Sequence, residues 1–151
     1  MKEDKINKII SKLRVAEHVK KGGMDGLINE WEDFALGECI EGYKLTIDDY
    51  TNDLTTREII ERILDELKAK SLINKIKKQI EKSDNKFRDL LIETDKCVWG
   101  SKNAQKLPKD KYWWYWGIVK NAKGELFEDL RNEEVFDKYK KIRINKLTNP
   151  E

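Results

Sequence analysis

The chain has 151 residues and a net charge of +2, and 38% of its residues are hydrophobic while 40% are charged. This length fits one domain with its own core, and the composition favours amphipathic helices with solvated outer faces over a β-sheet. One histidine and two isolated cysteines argue against a zinc site, and the lack of a signal peptide or a long apolar stretch predicts a cytoplasmic protein with no membrane association.

Two amphipathic helices are predicted at the start of the chain. Isoleucine and leucine recur at helical spacing over about residues 5–20, and Gly22-Gly23 is expected to end this first helix. A second apolar stripe predicts a helix over about residues 25–41.

Two helix-start signatures follow. Thr46 stands three residues before Asp49, and Thr55 stands three residues before Glu58, which is the spacing of a capping box. We therefore expect a short helical turn after the first signature and a separate third helix after the second, over about residues 56–68.

A fourth helix is expected to be capped by Ser71. Its apolar pattern fits an unbroken helix to Glu93 or a helix with a kink near residues 83–85, and we favour one long helix. Helical periodicity then disappears over residues 95–110. We expect a loop there, with Trp99 as its single apolar anchor.

Residues 112–119 come after this loop and begin with five consecutive aromatic residues, 112–116. Their propensity allows a strand, but no second strong strand is evident to pair with it, so we expect a short helix or an extended segment packed on the helices. Three roles remain open for these rings: filling the core, forming a protein interface, or stacking on nucleic-acid bases beside the flanking lysines.

The whole pattern predicts a single all-α domain over residues 1–151, a bundle of five to seven helices with an aromatic-rich irregular segment near 95–120. The last helices are expected over about 124–130 and 133–142, and the tail at about 145–151 is expected to fray. The predicted core is made of large apolar side chains from the main helices: Trp31, Phe34, Ile60, Ile63, Leu64, Ile76, Phe87 and Leu90.

Charge is unevenly distributed along the chain. The net charge is +4 over residues 1–24, −10 over residues 25–66 and +8 over residues 67–151. The acidic block folds against its basic flanks, or it offers an acidic face to a basic protein partner, and both can hold together. The acidic residues that would form such a partner-binding face are Glu30, Asp33, Glu38, Glu41, Asp48, Asp49 and Asp53.

The sequence supports no catalytic site, metal site or cofactor. His18 lies in a lysine-rich helix without a nucleophile motif, and no glycine-rich phosphate loop is present. A calcium loop counted from Asp49 would need a glycine and an acid where the chain has Leu54 and Ile60. Helix capping and a solvated turn explain the carboxylates of this segment better than a magnesium site does.

Two further motifs stand together in the chain. The first is the sequence DYTNDLTTR, at residues 49–57, before an apolar helix. The second combines Asp84-x-x-Phe87 with Thr94, Trp99 and Trp113-Trp114. Over about residues 25–120, these motifs resemble a family of small uncharacterised bacterial all-helical proteins. The resemblance implies no established activity and no catalytic residues.

Three functions remain open, and the oligomeric state is open as well. The first is a non-enzymatic protein-binding module, such as a bacterial immunity protein or antitoxin, that neutralises a basic partner through the acidic face. The second is a nucleic-acid-binding protein that uses the lysine-rich C-terminal half and the aromatic residues. The third is an enzyme with a carboxylate-centred site around Asp49 and Asp53. Tyr50, Asn52 and Arg57 are expected to form a structural network that fixes the turn.

Overall fold

The computed structural model describes residues 2–13, 17–38, 47–93, 97–99 and 101–120 of the chain. These residues are mostly helical and pack around one hydrophobic core. The predicted helices over 124–130 and 133–142, and the predicted frayed tail, lie outside the described residues.

Four helices of more than ten residues form the body of the fold: α1 (Lys2–Lys12), α2 (Glu17–Asp33), α3 (Ile47–Glu66) and α4 (Lys70–Leu90). Shorter helical turns lie at Phe34–Glu38, Ser101–Ala104 and Trp113–Tyr115. Two short strands are also present: β1 (Leu91–Glu93) and β2 (Gly117–Val119).

The break predicted at Gly22-Gly23 is a kink inside α2. Gly23 has φ 63° and ψ −158°, a conformation that is essentially restricted to glycine. The first helix ends earlier than predicted, at Lys12. The second ends as an α-helix at Asp33 rather than near residue 41, because it widens there into the π-helical turn that follows.

Helix α3 is continuous, so the separate helix start predicted at Thr55 is wrong. The Thr55 hydroxyl donates to the Thr51 carbonyl oxygen at 2.9 Å, a contact made inside a helix rather than at its cap. The helix continues because Tyr50 and Leu54, before the supposed cap, are fully buried in the same core as the later stripe. Thr46 lies outside the described residues.

Helix α4 runs without a break through residues 83–85, as predicted, but Ser71 does not cap it. The helix begins at Lys70, and the residue in the cap position is Ala69, whose side chain makes no capping hydrogen bond. It ends at Leu90, where the chain becomes extended. Its buried side is one stripe: Leu72, Ile76, Ile80, Ser83 and Phe87.

The two strands pair as an antiparallel ribbon, with Ile92 opposite Ile118. The expectation that no strand would pair with residues 112–119 is therefore wrong for Gly117–Val119, whereas Trp113–Tyr115 form a short helix, as expected. The fold is mostly helical rather than purely α. Beyond the paired residues, the Lys120 amide donates to the Leu90 carbonyl oxygen at 2.7 Å. The sequence predicted helix instead of β1 because the residues of this strand continue the apolar stripe of α4.

Trp99 is not the single apolar anchor of the segment after β1, although its ring packs edge-on against Tyr115 with centroids 5.9 Å apart. It is 37% exposed, whereas its neighbours Cys97 and Val98 are buried. The Val98 amide also donates to the Tyr115 carbonyl oxygen at 2.8 Å, which fixes this segment to the aromatic turn. Leu107 provides a second buried contact for the loop.

The predicted core side chains are buried, except that Leu90 is only partly buried. Phe34, Phe87 and Trp31 form its centre, with ring centroids 5.2–5.8 Å apart. From the aromatic segment, three residues enter the core and two lie partly buried against it: Tyr112, Trp114 and Tyr115 in the core, Trp113 and Trp116 at its edge.

Candidate functional site

Arg57 of α3 and Asp84 of α4 form a bidentate ion pair between the two helices. The guanidinium Nε donates to Asp84 Oδ1 at 2.9 Å, and Nη2 donates to Oδ2 at 3.0 Å. Only 6% of the Arg57 side chain and 16% of the Asp84 side chain are exposed. A planar guanidinium paired in this way holds both helices in one register.

Neighbouring groups complete the coordination of this pair. The third guanidinium nitrogen, Nη1, donates to Glu61 Oε1 at 3.1 Å. The guanidinium carbon also lies 4.5 Å from the ring centroid of Trp114, so the indole covers one face of the charge. Asp84 Oδ1 additionally accepts a hydrogen bond from Trp31 Nε1 at 2.8 Å. These contacts leave the pair satisfied, which is typical of a structural ion pair.

A second, partly buried polar contact joins Glu58 of α3 to the aromatic turn. The Tyr115 hydroxyl donates to Glu58 Oε1 at 2.7 Å, and Arg62 Nε donates to Oε2 at 2.6 Å. Burial raises the pKa of the Tyr115 hydroxyl well above its usual value, and the negative charge of Glu58 raises it further. Tyr115 therefore stays neutral and donates to the carboxylate.

Three of the seven predicted partner-binding acids, Glu30, Asp33 and Asp53, lie where α2 packs along α3. The Thr56 hydroxyl donates to Glu30 Oε2 at 3.4 Å, and the rings of Phe34 and Tyr50 lie 6.2 Å apart. These contacts show that the two helices run antiparallel. Asp33 and Asp53 lie in the part of the chain between these two contacts. Asp33 is exposed, and Asp53 is partly buried.

For the other four predicted acids, the structure does not describe the side chains. Glu38 ends the π-helical turn, and Asp48 and Asp49 belong to the first turn of α3, but only their backbone is described. Glu41 lies outside the described residues. We use the term acidic edge for the exposed Glu30 and Asp33 together with Asp53.

Of the three residues predicted to form a structural network at the turn, two are buried and one is exposed. Arg57 is buried, as a network member should be, and Tyr50 is buried in the core. Asn52, in contrast, is exposed. The partner that sequence reasoning missed is Asp84, which was visible only as part of the Asp84-x-x-Phe87 motif and lies 27 residues from Arg57.

A groove of about 570 Å³ runs between α3, α4 and the aromatic turn. Leu64 and Ile80 line it with apolar surface, and exposed Lys77 and Lys78 stand along α4. At its end the Arg88 guanidinium lies 4.1 Å from the ring centroid of Trp113, so a cation already covers this partly buried indole.

The ion pairs only partly match the idea that the acidic block folds against its basic flanks. Lys111 with Asp65 is such a contact, between a basic flank and the acidic block. The buried pair of Arg57 with Asp84 has the opposite sense, because the arginine belongs to the acidic block and the acid to the basic one.

The described residues contain neither a cluster suited to a metal ion nor a helix suited to a bilayer. No three or more His, Cys, Asp or Glu side chains gather in this part of the chain so that they could hold a metal ion. No helix within it combines the length and apolar character that crossing a bilayer requires.

Comparison of the chain with protein-family models, with curated proteins and with solved structures finds no match. The function is therefore inferred from the residues and their geometry.

Proposed function

We propose that this protein is a non-enzymatic binding module that uses its acidic edge to bind a basic protein. The observation that carries the proposal is the exposure of Glu30 and Asp33, one turn apart on α2, beside Asp53 of α3. Acidic side chains that face water beside one another attract a partner of opposite charge and orient its approach.

The arginines of the acidic block stabilise the fold itself. Residues 25–66 contain three basic side chains, Lys44, Arg57 and Arg62. Arg57 is buried against Asp84, and Arg62 is held by Glu58. Lys44 lies outside the described residues. Both arginines are therefore part of the helix packing that positions α3.

A bacterial immunity protein or antitoxin is the specific class we propose, since such a protein would neutralise a basic partner through a surface of this kind. Asp84 accepts hydrogen bonds from Trp31 of α2 and from Arg57 of α3, so the edge between these two helices would be presented without a large ordering cost on binding.

Base stacking by the aromatic segment has weaker support. Trp114 is fully buried, and the Trp113 ring is covered by Arg88. Trp116 Nε1 donates to the Leu107 carbonyl oxygen at 2.9 Å, which holds this indole against its own loop. The carboxylate-centred enzyme remains a prediction, because the side chain of Asp49 is not described.

The test is affinity capture from cells of the source organism, followed by calorimetry with the purified captured protein. Wild type is compared with Glu30→Lys/Asp33→Lys and with a control, Glu81→Lys/Asp89→Lys, which changes the net charge equally at exposed positions of α4. We expect a basic partner whose Kd weakens at least about tenfold in the first variant and less than about twofold in the control.

Higher salt should also weaken the wild-type complex, because exposed charges are screened. A partner that both variants bind as tightly as wild type does would contradict the proposal. So would a captured set without any basic protein that requires Glu30 and Asp33.

A further inference from the structure

Helix α4 carries a row of lysines on its outer surface. It has seven basic and three acidic residues, and its apolar stripe is buried in the core. Four exposed lysines, separated by three, four and four residues, follow one another on one side of the helix: Lys75, Lys78, Lys82 and Lys86. We call these four residues the lysine row. Asp89 is an exposed acid at its C-terminal end.

The row is not neutralised by the acidic helices. None of its four lysines takes part in an ion pair within the part of the chain that the structure describes. The pair that links α4 to α3 uses Asp84 instead. Like charges four residues apart, as in Lys78 with Lys82 and Lys82 with Lys86, destabilise a helix, and a bound polyanion would relieve that repulsion.

We propose that the lysine row binds the phosphodiester backbone of a nucleic acid without reading its sequence. Four residues of helix rise about 6 Å, so the row presents evenly spaced cations over about 17 Å. Evenly spaced charge suits a ligand whose anions also repeat regularly. Exposed Gln79 and Asn85 add amide groups that donate to phosphate oxygens.

Two other polyanions fit this helix less well. A helix that lies on a membrane inserts its apolar face, whereas Ile76, Ile80 and Phe87 of α4 are buried in the protein's own core. The spacing of acidic side chains differs from one protein surface to another, whereas the phosphates of a nucleic acid repeat at every nucleotide. The lysine row lies on α4 and the acidic edge on α2 and α3, so this proposal does not depend on the proposed function.

The test is fluorescence anisotropy of a labelled 20-base-pair DNA duplex with the full chain at 50–300 mM KCl. Wild type is compared with Lys75→Gln/Lys78→Gln/Lys82→Gln/Lys86→Gln. The matched control is Lys5→Gln/Lys8→Gln/Lys12→Gln/Lys68→Gln, which removes four exposed lysines elsewhere. Each neutralised phosphate contributes about −0.9 to the slope of log affinity against log salt, so four lysines give an expected slope of about −3.6 for wild type.

The variant of the lysine row should bind DNA at least about tenfold more weakly at 50 mM salt, and its affinity should depend much less on salt. The affinity of the control variant should stay within about threefold of wild type. Circular dichroism checks that both variants are folded. Equal losses in the two variants would overturn the proposal, because they would show a response to net charge alone. Duplexes of RNA and a single DNA strand identify the preferred backbone.

Vesicles containing phosphatidylserine provide the competing ligand. Binding to these vesicles through the lysine row, without binding to any nucleic acid at 50 mM salt, would overturn the proposal. Absence of binding to all these probes up to about 100 µM protein would overturn it as well, since non-specific nucleic-acid binders reach Kd values of about 1–100 µM at physiological salt.

Discussion

Trp31 and Asp84 are 53 residues apart in the sequence, yet the indole Nε1 of Trp31 donates a hydrogen bond of 2.8 Å to the Asp84 carboxylate. The same carboxylate accepts the two hydrogen bonds of Arg57. Asp84 therefore connects α2, α3 and α4 at one point of the core. The same carboxylate therefore contacts both of the helices that carry the acidic edge.

Removing the Asp84 carboxylate should destabilise the protein strongly. In Asp84→Ala, the buried Arg57 keeps its charge but loses its main partner, and Trp31 loses its acceptor. Breaking a buried pair in this way costs about 3–5 kcal/mol. Urea unfolding followed by tryptophan fluorescence measures the free energy of unfolding.

The exposed pair within α3 provides the control for this experiment. Arg62→Ala removes a cation that is 48% exposed, so its loss should cost less than about 1 kcal/mol. In Arg57→Met/Asp84→Leu both buried charges disappear. The free energy of unfolding should therefore fall by much less than it does in Asp84→Ala. A cost below about 1 kcal/mol for Asp84→Ala would show that the pair does not hold the helices together.

Tyr115 should make the stability of the protein fall at alkaline pH. Because its pKa is raised in the folded state, the unfolded chain releases the phenolic proton at about pH 10, while the folded chain keeps it to higher pH. The contribution of Tyr115 to the free energy of unfolding is complete below about pH 9 and falls above about pH 10, by up to about 1.4 kcal/mol per pH unit.

The variant Tyr115→Phe isolates this effect from the titration of the lysines. At pH 7 it should cost about 1.5–3 kcal/mol, since the Glu58 carboxylate loses the hydrogen bond that the Tyr115 hydroxyl donates to it. The difference from wild type, measured by urea unfolding between pH 8 and 11, should shrink as the pH rises. A difference that stays constant over this range would mean that Tyr115 titrates normally.

The parts of the fold that the sequence predicted correctly are those set by local periodicity. The stripe of α4 was sufficient to predict one unbroken helix, and residues such as Trp31 and Ile60 were recognisable as core by their spacing. Helix starts were less predictable. Thr55 has the sequence of a cap, but the burial of Tyr50 and Leu54 carries the helix past it.

The candidate site shows the same division between local and long-range information. The acids were visible as a block of charge, but their positions on α2 and α3 follow from how those helices pack. Periodicity within one helix cannot show that Arg57 faces Asp84, 27 residues further along the chain. The ribbon of β1 and β2 was missed for a similar reason, because pairing between short strands is set by tertiary contacts.

Gly117 should tolerate no side chain. A Cβ at this position would lie 2.9 Å from the Ile92 carbonyl oxygen and 3.2 Å from the Leu91 side chain, in the paired strand. Backbone cannot move aside without breaking the ribbon, so Gly117→Ala should cost about 1–3 kcal/mol. Thermal unfolding measures the change.

A glycine in open space serves as the comparison. Gly26 lies in α2, and a Cβ added there would have nothing within 4 Å, so Gly26→Ala should stabilise the protein by about 0.5–1 kcal/mol. Equal effects of the two substitutions would indicate that β2 does not approach β1 as closely as the pairing of Ile92 with Ile118 implies.

Cys97 should be almost unreactive in the folded protein. Burial raises the pKa of its thiol, so little of the reactive thiolate forms near neutral pH, and the side chain is only 2% exposed. Cys39→Ser removes the other cysteine and leaves Cys97 as the single thiol. In this variant, the thiol should react with Ellman's reagent at pH 8 at least about 100-fold more slowly without urea than in 8 M urea. This ratio corresponds to a free energy of local opening of about 2.7 kcal/mol. Comparable rates in the two conditions would show that the segment around Cys97 and Val98 opens readily, despite the hydrogen bond from the Val98 amide to Tyr115.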